Sequence, residues 1–134
     1  MSQENVEAVR RLYGDPRGLA AATADVLAPD GEFDFTAVYP DMPTMRSAAE
    51  LRRFRDSGPW AGSAIHIEPE RFFDVDEARV LVFVRISATG QGSGAPVEIR
   101  GAHEFTFVDG RLVRLKAYRD RDEARRALGM NDPR

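Results

Sequence analysis

The spacing of apolar residues changes period along this chain. Near the start, Val6, Val9, Leu12 and Tyr13 recur every three or four residues and share one face, which predicts a helix ended by "GDPRG". "LAAATADVLA", residues 19–28, predicts a second, short helix stopped by Pro29 and the glycine that follows. The period then drops to two. In "EFDFTAVY", residues 32–39, Phe33 and Phe35 alternate with Glu32 and Asp34, the mark of a strand with one buried face. "PDMP" is a loop. Ser47 and Glu50 form a capping box that opens a third helix with Leu51 and Phe54 inward. Gly58-Pro59 ends that helix, and Trp60 follows in the linker.

Three long strands come next. Residues 63–75 are irregular around Pro69. Residues 79–90 are apolar on both faces, with Val80, Val82, Val84 and Ile86 on one and Leu81 and Phe83 on the other. Such a strand needs cover on both sides. After the turn "GQGSGAP", residues 101–118 read as strand and return strand meeting at Asp109-Gly110, and "DRDEARRALG" predicts a last helix. The order is helices first, then strands, with one strand inserted after the second helix. It predicts a single α+β domain over residues 1–134, a curved antiparallel sheet wrapped around three N-terminal helices.

The register of the last hairpin decides which way His103 points, because a one-residue slip flips every side chain. A two-residue loop at Asp109-Gly110 pairs Phe105 with Arg114 and mixes aromatic with basic groups on each face. A three-residue loop, Val108-Asp109-Gly110 with Gly110 left-handed, pairs Phe105 with Val113 and His103 with Leu115, and separates apolar from charged residues. The second register is expected on the energy of burying those side chains. It turns His103, Phe105, Phe107, Val113, Leu115 and Ala117 inward, with Arg119 on the same face at the strand's far end.

Composition narrows the function. The chain of 134 residues carries 19 basic and 22 acidic residues, no cysteine and two histidines. This excludes disulfide and thiolate chemistry and a histidine-rich metal site. No basic patch fits a nucleic acid, no apolar run reaches membrane-spanning length, and the N-terminal segment does not read as a signal peptide. A soluble, cytoplasmic protein is expected. Lys116 is its only lysine. His66 alternates against Ile65 and Ile67 and is expected to face outward, and the arginines of the third helix are expected to form a solvated face.

"PDGEFDF", "SAAELRRF" and "GAHEFTFVDGRLVRLKAYRDRDEA", with the strand pattern, resemble SnoaL-like proteins of the nuclear transport factor 2-like superfamily. That group includes polyketide cyclases, ketosteroid isomerases and limonene-epoxide hydrolases. The resemblance covers nearly the whole chain. It implies a cystatin-like, cone-shaped fold with an apolar pocket, and a homodimer through the convex sheet face. The leading expectation is a small, apolar, carbonyl-bearing ligand handled by general acid–base chemistry, which requires no cofactor and no metal. Residue by residue, Tyr13 falls at the carbonyl-orienting tyrosine of the isomerases and His103 where their strand acid sits. Their aspartate base reads Phe35 here, with Asp34 one residue away and on the opposite face. The epoxide hydrolases place an aspartate where this chain has Ala117. The expected catalytic pair is therefore His103 as acid/base and Tyr13 as donor. Trp60, Phe33, Phe35 and Phe105 are expected as walls, with Arg119 and Asp34 as polar neighbours. The alternative is a non-catalytic ligand-binding or assembly module with the same pocket.

Overall fold

A computed structural model of the chain describes residues 2–36, 44–57, 65–89 and 96–130. The "PDMP" loop, Gly58-Pro59, Trp60 and most of the "GQGSGAP" turn lie outside the described residues. Helix α1 (Ser2–Tyr13) is followed by α2 (Leu19–Val26), β1 (Leu27–Asp34), α3 (Ala48–Ser57), β2 (Ile65–Asp74), β3 (Arg79–Thr89), β4 (Pro96–Val108), β5 (Arg111–Tyr118) and α4 (Arg121–Ala127). The five strands form one sheet in the order β1-β5-β4-β3-β2, with antiparallel pairing from β2 through β5. This is the α+β layout the residue order predicts.

Strand β1 differs from expectation in its limits and direction. It begins at Leu27, directly after α2, runs through Pro29-Asp30-Gly31, ends at Asp34 and joins β5 in parallel. Its register slips between Leu27 and Glu32. Proline is tolerated there because β1 is an edge strand, where a missing N–H breaks no ladder bond. The paired part is the alternating stretch: Phe33 lies beside Leu115 and Asp34 beside Lys116. Met45 closes the edge, with Phe33 N–H donating to its carbonyl at 2.7 Å and the return bond at 2.9 Å.

The last hairpin corrects the expected loop yet keeps its consequence. Val108 pairs with Arg111, so the loop is the two residues Asp109-Gly110. Both have positive φ, 52° and 79°, as a type I′ turn requires. The bulge sits further along: Phe107 pairs with Leu112 but Thr106 with Arg114, leaving Val113 as the extra residue. That one-residue insertion restores the separation of apolar and charged faces. Leu112, not Val113, joins the core, while His103 lies opposite Ala117 and still faces inward.

Capping and packing then place the helices. Glu50 N–H donates to Ser47 Oγ at 3.1 Å, while the Glu50 carboxylate accepts from the Arg46 amide. Leu51 is buried and Phe54 packs against the core, as the third helix predicts. On the concave side, α1 to α3 bury Val9, Leu12, Leu19, Phe33, Phe105 and Leu115 in one cluster. On the convex side, α4 covers Leu81, Ala102 and Tyr118 with Ala124 and Leu128. The two-sided strand thus gets its second cover from within the chain. Asp120 caps α4, and Arg121 staples it by donating to the carbonyls of Val84 at 2.9 Å and Gly101 at 3.3 Å.

Gly101 marks a close approach. A Cβ there would lie 2.4 Å from the carbonyl oxygen of Tyr118. Backbone cannot swing aside as a long side chain does, so Gly101→Ala forces β4 and the end of β5 apart. The expected cost is about 1–3 kcal/mol, read as a lower urea midpoint at unchanged slope.

Candidate functional site

The concave face is best followed in rows across the strands. One row consists of Val80, Phe105, Leu115 and Phe33, paired in succession from β3 to β1. All four are no more than 3% exposed, so this end of the cone is packed shut. The next row, two residues along, is Phe72, Val82, His103 and Ala117. Further out, Ile67, Ile86 and Ile99 form a row whose members are all partly exposed. Between the two, Val84 is fully buried beside Gly101, so His103, itself 6% exposed, lies in a largely closed interior one row short of the partly exposed apolar wall.

Tyr13, at the C-terminal end of α1, reaches down to that row. Its hydroxyl lies 2.6 Å from His103 Nδ1, and the two rings are nearly parallel at 8°. Phe105 and Phe72 meet Tyr13 edge-on, with centroids 5.9 and 6.0 Å away. These contacts fix both rings. Burial lowers the pKa of His103 to about 4 and pushes that of Tyr13 well above the ordinary phenol range. At neutral pH both groups are uncharged. Among the described residues, no other hydrogen bond reaches either side chain. If Nδ1 carried the proton, the phenol proton and the Nε2 lone pair would both lack partners. With the phenol donating to Nδ1, only an Nε2–H donor is left over. The second arrangement wastes less, and it gives the site one N–H without a protein partner.

The other expected residues divide. Phe33 and Phe105 are wholly buried and support the wall from behind. Phe35 is partly buried and packs on Phe54 with centroids 5.5 Å apart. Asp34 is on the convex side, as alternation predicts. It accepts from the Thr36 hydroxyl at 2.6 Å and from Arg114 at 3.0 Å. Burial raises its pKa, but the Thr36 bonds and the nearby Lys116 and Arg114 outweigh this and hold it below the usual carboxylate value. Arg119 lies past the end of β5 and is exposed rather than turned into the cone. Trp60 lies outside the described residues. His66 is exposed, as expected.

Two neighbours of the site escaped the sequence reading. Phe72 shares the row of His103, and Arg10 stacks its guanidinium 4.3 Å from the Phe72 ring centre. Phe72 enters that row through a register that shifts between Pro69 and Arg71, which the spacing of residues in the sequence does not fix. Among the described residues, no cluster of three or more His, Asp or Glu is arranged to hold a metal ion, and no helix is long and apolar enough to cross a membrane.

Comparison with known proteins agrees with this architecture. A crystal structure of a nuclear transport factor 2-like protein of unknown function from Burkholderia pseudomallei superposes with a TM-score of 0.72 at 21% identity, covering 93% of this chain and 97% of that one. TerC, co-crystallized with polyporic acid, gives 0.71 at 22% identity, again over 93% and 97%. A candidate SnoaL-like polyketide cyclase from Jannaschia sp. CCS1 gives 0.67 at 18% identity, over 97% and 94%. No curated protein matches the sequence. The model of the SnoaL-like domain matches residues 5–115, and the chain therefore belongs to the SnoaL-like family.

Proposed function

We propose that this protein binds a small, apolar, carbonyl-bearing molecule at the mouth of the cone and polarises its carbonyl with the Nε2–H of neutral His103. The observation that carries this reading is the 2.6 Å contact between Tyr13 and His103 Nδ1 in an apolar surround. Tyr13 sets the tautomer and the ring orientation. An imidazole with a pKa near 4 is a poor general base at neutral pH, but as an uncharged donor it stabilises negative charge developing on an oxygen without having to lose a solvation shell. Isomerisation, cyclisation and hydrolysis all pass through such an oxygen. The acid/base role expected for His103 thus narrows to that of hydrogen-bond donor. TerC, of like fold, was crystallised with a small molecule, which supports the ligand half of the reading.

A second reading, binding without turnover, is favoured by one observation. Among the described residues, no carboxylate is hydrogen-bonded to the Tyr13–His103 pair, and Asp34 is held on the far face. The remaining parts of the proposal are action in the cytoplasm and a homodimer through the convex face. The dimer stands on narrower ground now that α4 covers Leu81 and Ala102, and sedimentation at twice the chain mass would support it.

Infrared spectroscopy of 2-acetylnaphthalene added to the protein tests the central step. The ketone stretch is expected to fall on binding to wild type and to return towards its value in apolar solvent in His103→Ala. Unchanged frequency in wild type, or an equal shift in the variant, would remove His103 from the role. A shifted stretch with no turnover of any ketone would favour the second reading.

A further inference from the structure

A concavity whose lining includes neither Tyr13 nor His103 lies where α1 and α2 meet the tip of the β4–β5 hairpin. Its volume is about 490 Å³, within the range of ordinary small-ligand sites. The floor is apolar: Leu12, Ala22, Phe107 and Leu112. One wall is a run of surface ion pairs. Arg17 lies 2.8 Å from Asp15 and 2.6 Å from Asp25, and Arg52 lies 3.3 Å from Asp25. Those two carboxylates and two guanidinium groups balance one another. The rim holds two further cations, Arg11 and Arg111. Neither has an ion pair or hydrogen bond through its side chain among the described residues, so the lining, three arginines against two aspartates, is net positive above a hydrocarbon floor, with Arg11 and Arg111 open to a ligand. Val26, also lining it, is 50% exposed. At the tip, no atom lies within 4 Å of where a Cβ on Gly110 would be, which widens the opening.

We infer that this groove is a binding site for a small amphipathic anion, an aryl or short alkyl carboxylate. Its apolar body would cover Leu12, Phe107 and Leu112, and its carboxylate would bridge Arg11 and Arg111. The chemistry fits one polarity only. A neutral apolar ligand leaves both arginines unused, and a cation meets two like charges. Arginine suits the task because its planar fork matches a carboxylate and it sheds water readily. In the Asp15–Arg17–Asp25 wall the guanidinium already has carboxylate partners, so Arg11 and Arg111 are the cations left for the ligand. The site is independent of the reading given to His103, which sits in the middle of β4 rather than at the hairpin tip.

Titration of ¹⁵N-labelled protein with 2-naphthoate, followed by amide NMR, tests this. Shifts are expected at Arg11, Asp15, Gly110 and Arg111, with little change at His103 and Phe105. In the Arg11→Gln/Arg111→Gln double variant, naphthoate affinity is expected to fall by about tenfold or more, two charge-assisted hydrogen bonds being lost, while 2-acetylnaphthalene still perturbs His103. Both residues are exposed, so the fold should survive. Val26→Asp, which places a negative charge on the rim, is expected to weaken naphthoate in the same way. Naphthoate shifts centred on His103, or equal affinity in the double variant, would overturn the assignment. Loss of the acetylnaphthalene effect on His103 with the naphthoate shifts intact would sink only the proposed function.

Discussion

Acidification from pH 6.5 to 5 is expected to cost this protein about 2 kcal/mol of stability through His103 alone, and about 3 kcal/mol by pH 4. His103 is 6% exposed, accepts one hydrogen bond and lies among aromatic rings, and its pKa falls from 6.5 to about 4 because burial disfavours the imidazolium. In the unfolded chain the ring takes up its proton near 6.5, whereas the folded ring does not until about pH 4. Between those values the unfolded state binds one more proton, so stability falls as pH falls, by about 1.4 kcal/mol per unit. The carboxylates act in a different window. Asp15, Asp34, Glu70 and Asp76 have pKa values lowered from 3.8 or 4.5 by their partners. Their contribution is present above those unfolded values and is lost at more acid pH. Urea denaturation at half-unit steps separates the two. Wild type should slope steeply between pH 6.5 and 5, and His103→Asn should be flatter there by about 1.4 kcal/mol per unit. Parallel slopes would mean that the ring charges freely and is not enclosed.

Phe33→Ala is expected to lose about 3–5 kcal/mol, the usual cost of removing a large aromatic ring from a filled core. Phe33 has no exposed surface, lies beside Leu115 and closes the packed end of the cone with Val80 and Phe105. Its backbone is held on one side by β5 and on the other by Met45, so collapse into the vacated space would have to break ladder bonds. The same change tests whether Phe33 is core or ligand wall. A large fall in the urea midpoint, with 2-acetylnaphthalene still bound by the folded fraction, places it in the core. A small stability loss with binding abolished would place it at the ligand instead.

Much of this architecture could be read from the chain because period and burial agree. The α1 face of Val6, Val9, Leu12 and Tyr13, the two-sided β3 and the alternation of Phe33 with Asp34 each turned out as their spacing implies. The hairpin shows where such reasoning stops. The separation of apolar from charged residues required a bulge somewhere, and burial energy made that inference secure. The position of the bulge depended on a smaller preference, that of Asp-Gly for a two-residue turn with both residues at positive φ. Weighing burial alone put the extra residue in the loop, whereas it is Val113, within the strand. The orientation of His103 survives because only the parity of the insertion matters to it.

The start of β1 was hidden for a different reason. Pro29 and Gly31 are ordinary stop signals, and only the edge position of the strand, a tertiary fact, lets it run through them. The cover of the convex face was hidden likewise. Ala124 and Leu128 give a seven-residue helix little apolar surface, yet Arg121, anchored to two carbonyls, holds it where that surface suffices. At the site, position and burial were legible, but the depressed pKa was not, because it comes from the rings that enclose the imidazole. In the role proposed for it, that shift leaves the ring a hydrogen-bond donor rather than a general base.

Nitrogen-15 NMR of the His103 ring, with the protein labelled at histidine, reads that chemistry most directly. At pH 7 and at pH 6 the account predicts the same spectrum: Nδ1 unprotonated and accepting from Tyr13, and Nε2 carrying the proton, with Tyr13→Phe, which frees the tautomer, shifting both ring resonances. A ring that titrates near pH 6.5, or one protonated at Nδ1, would contradict it.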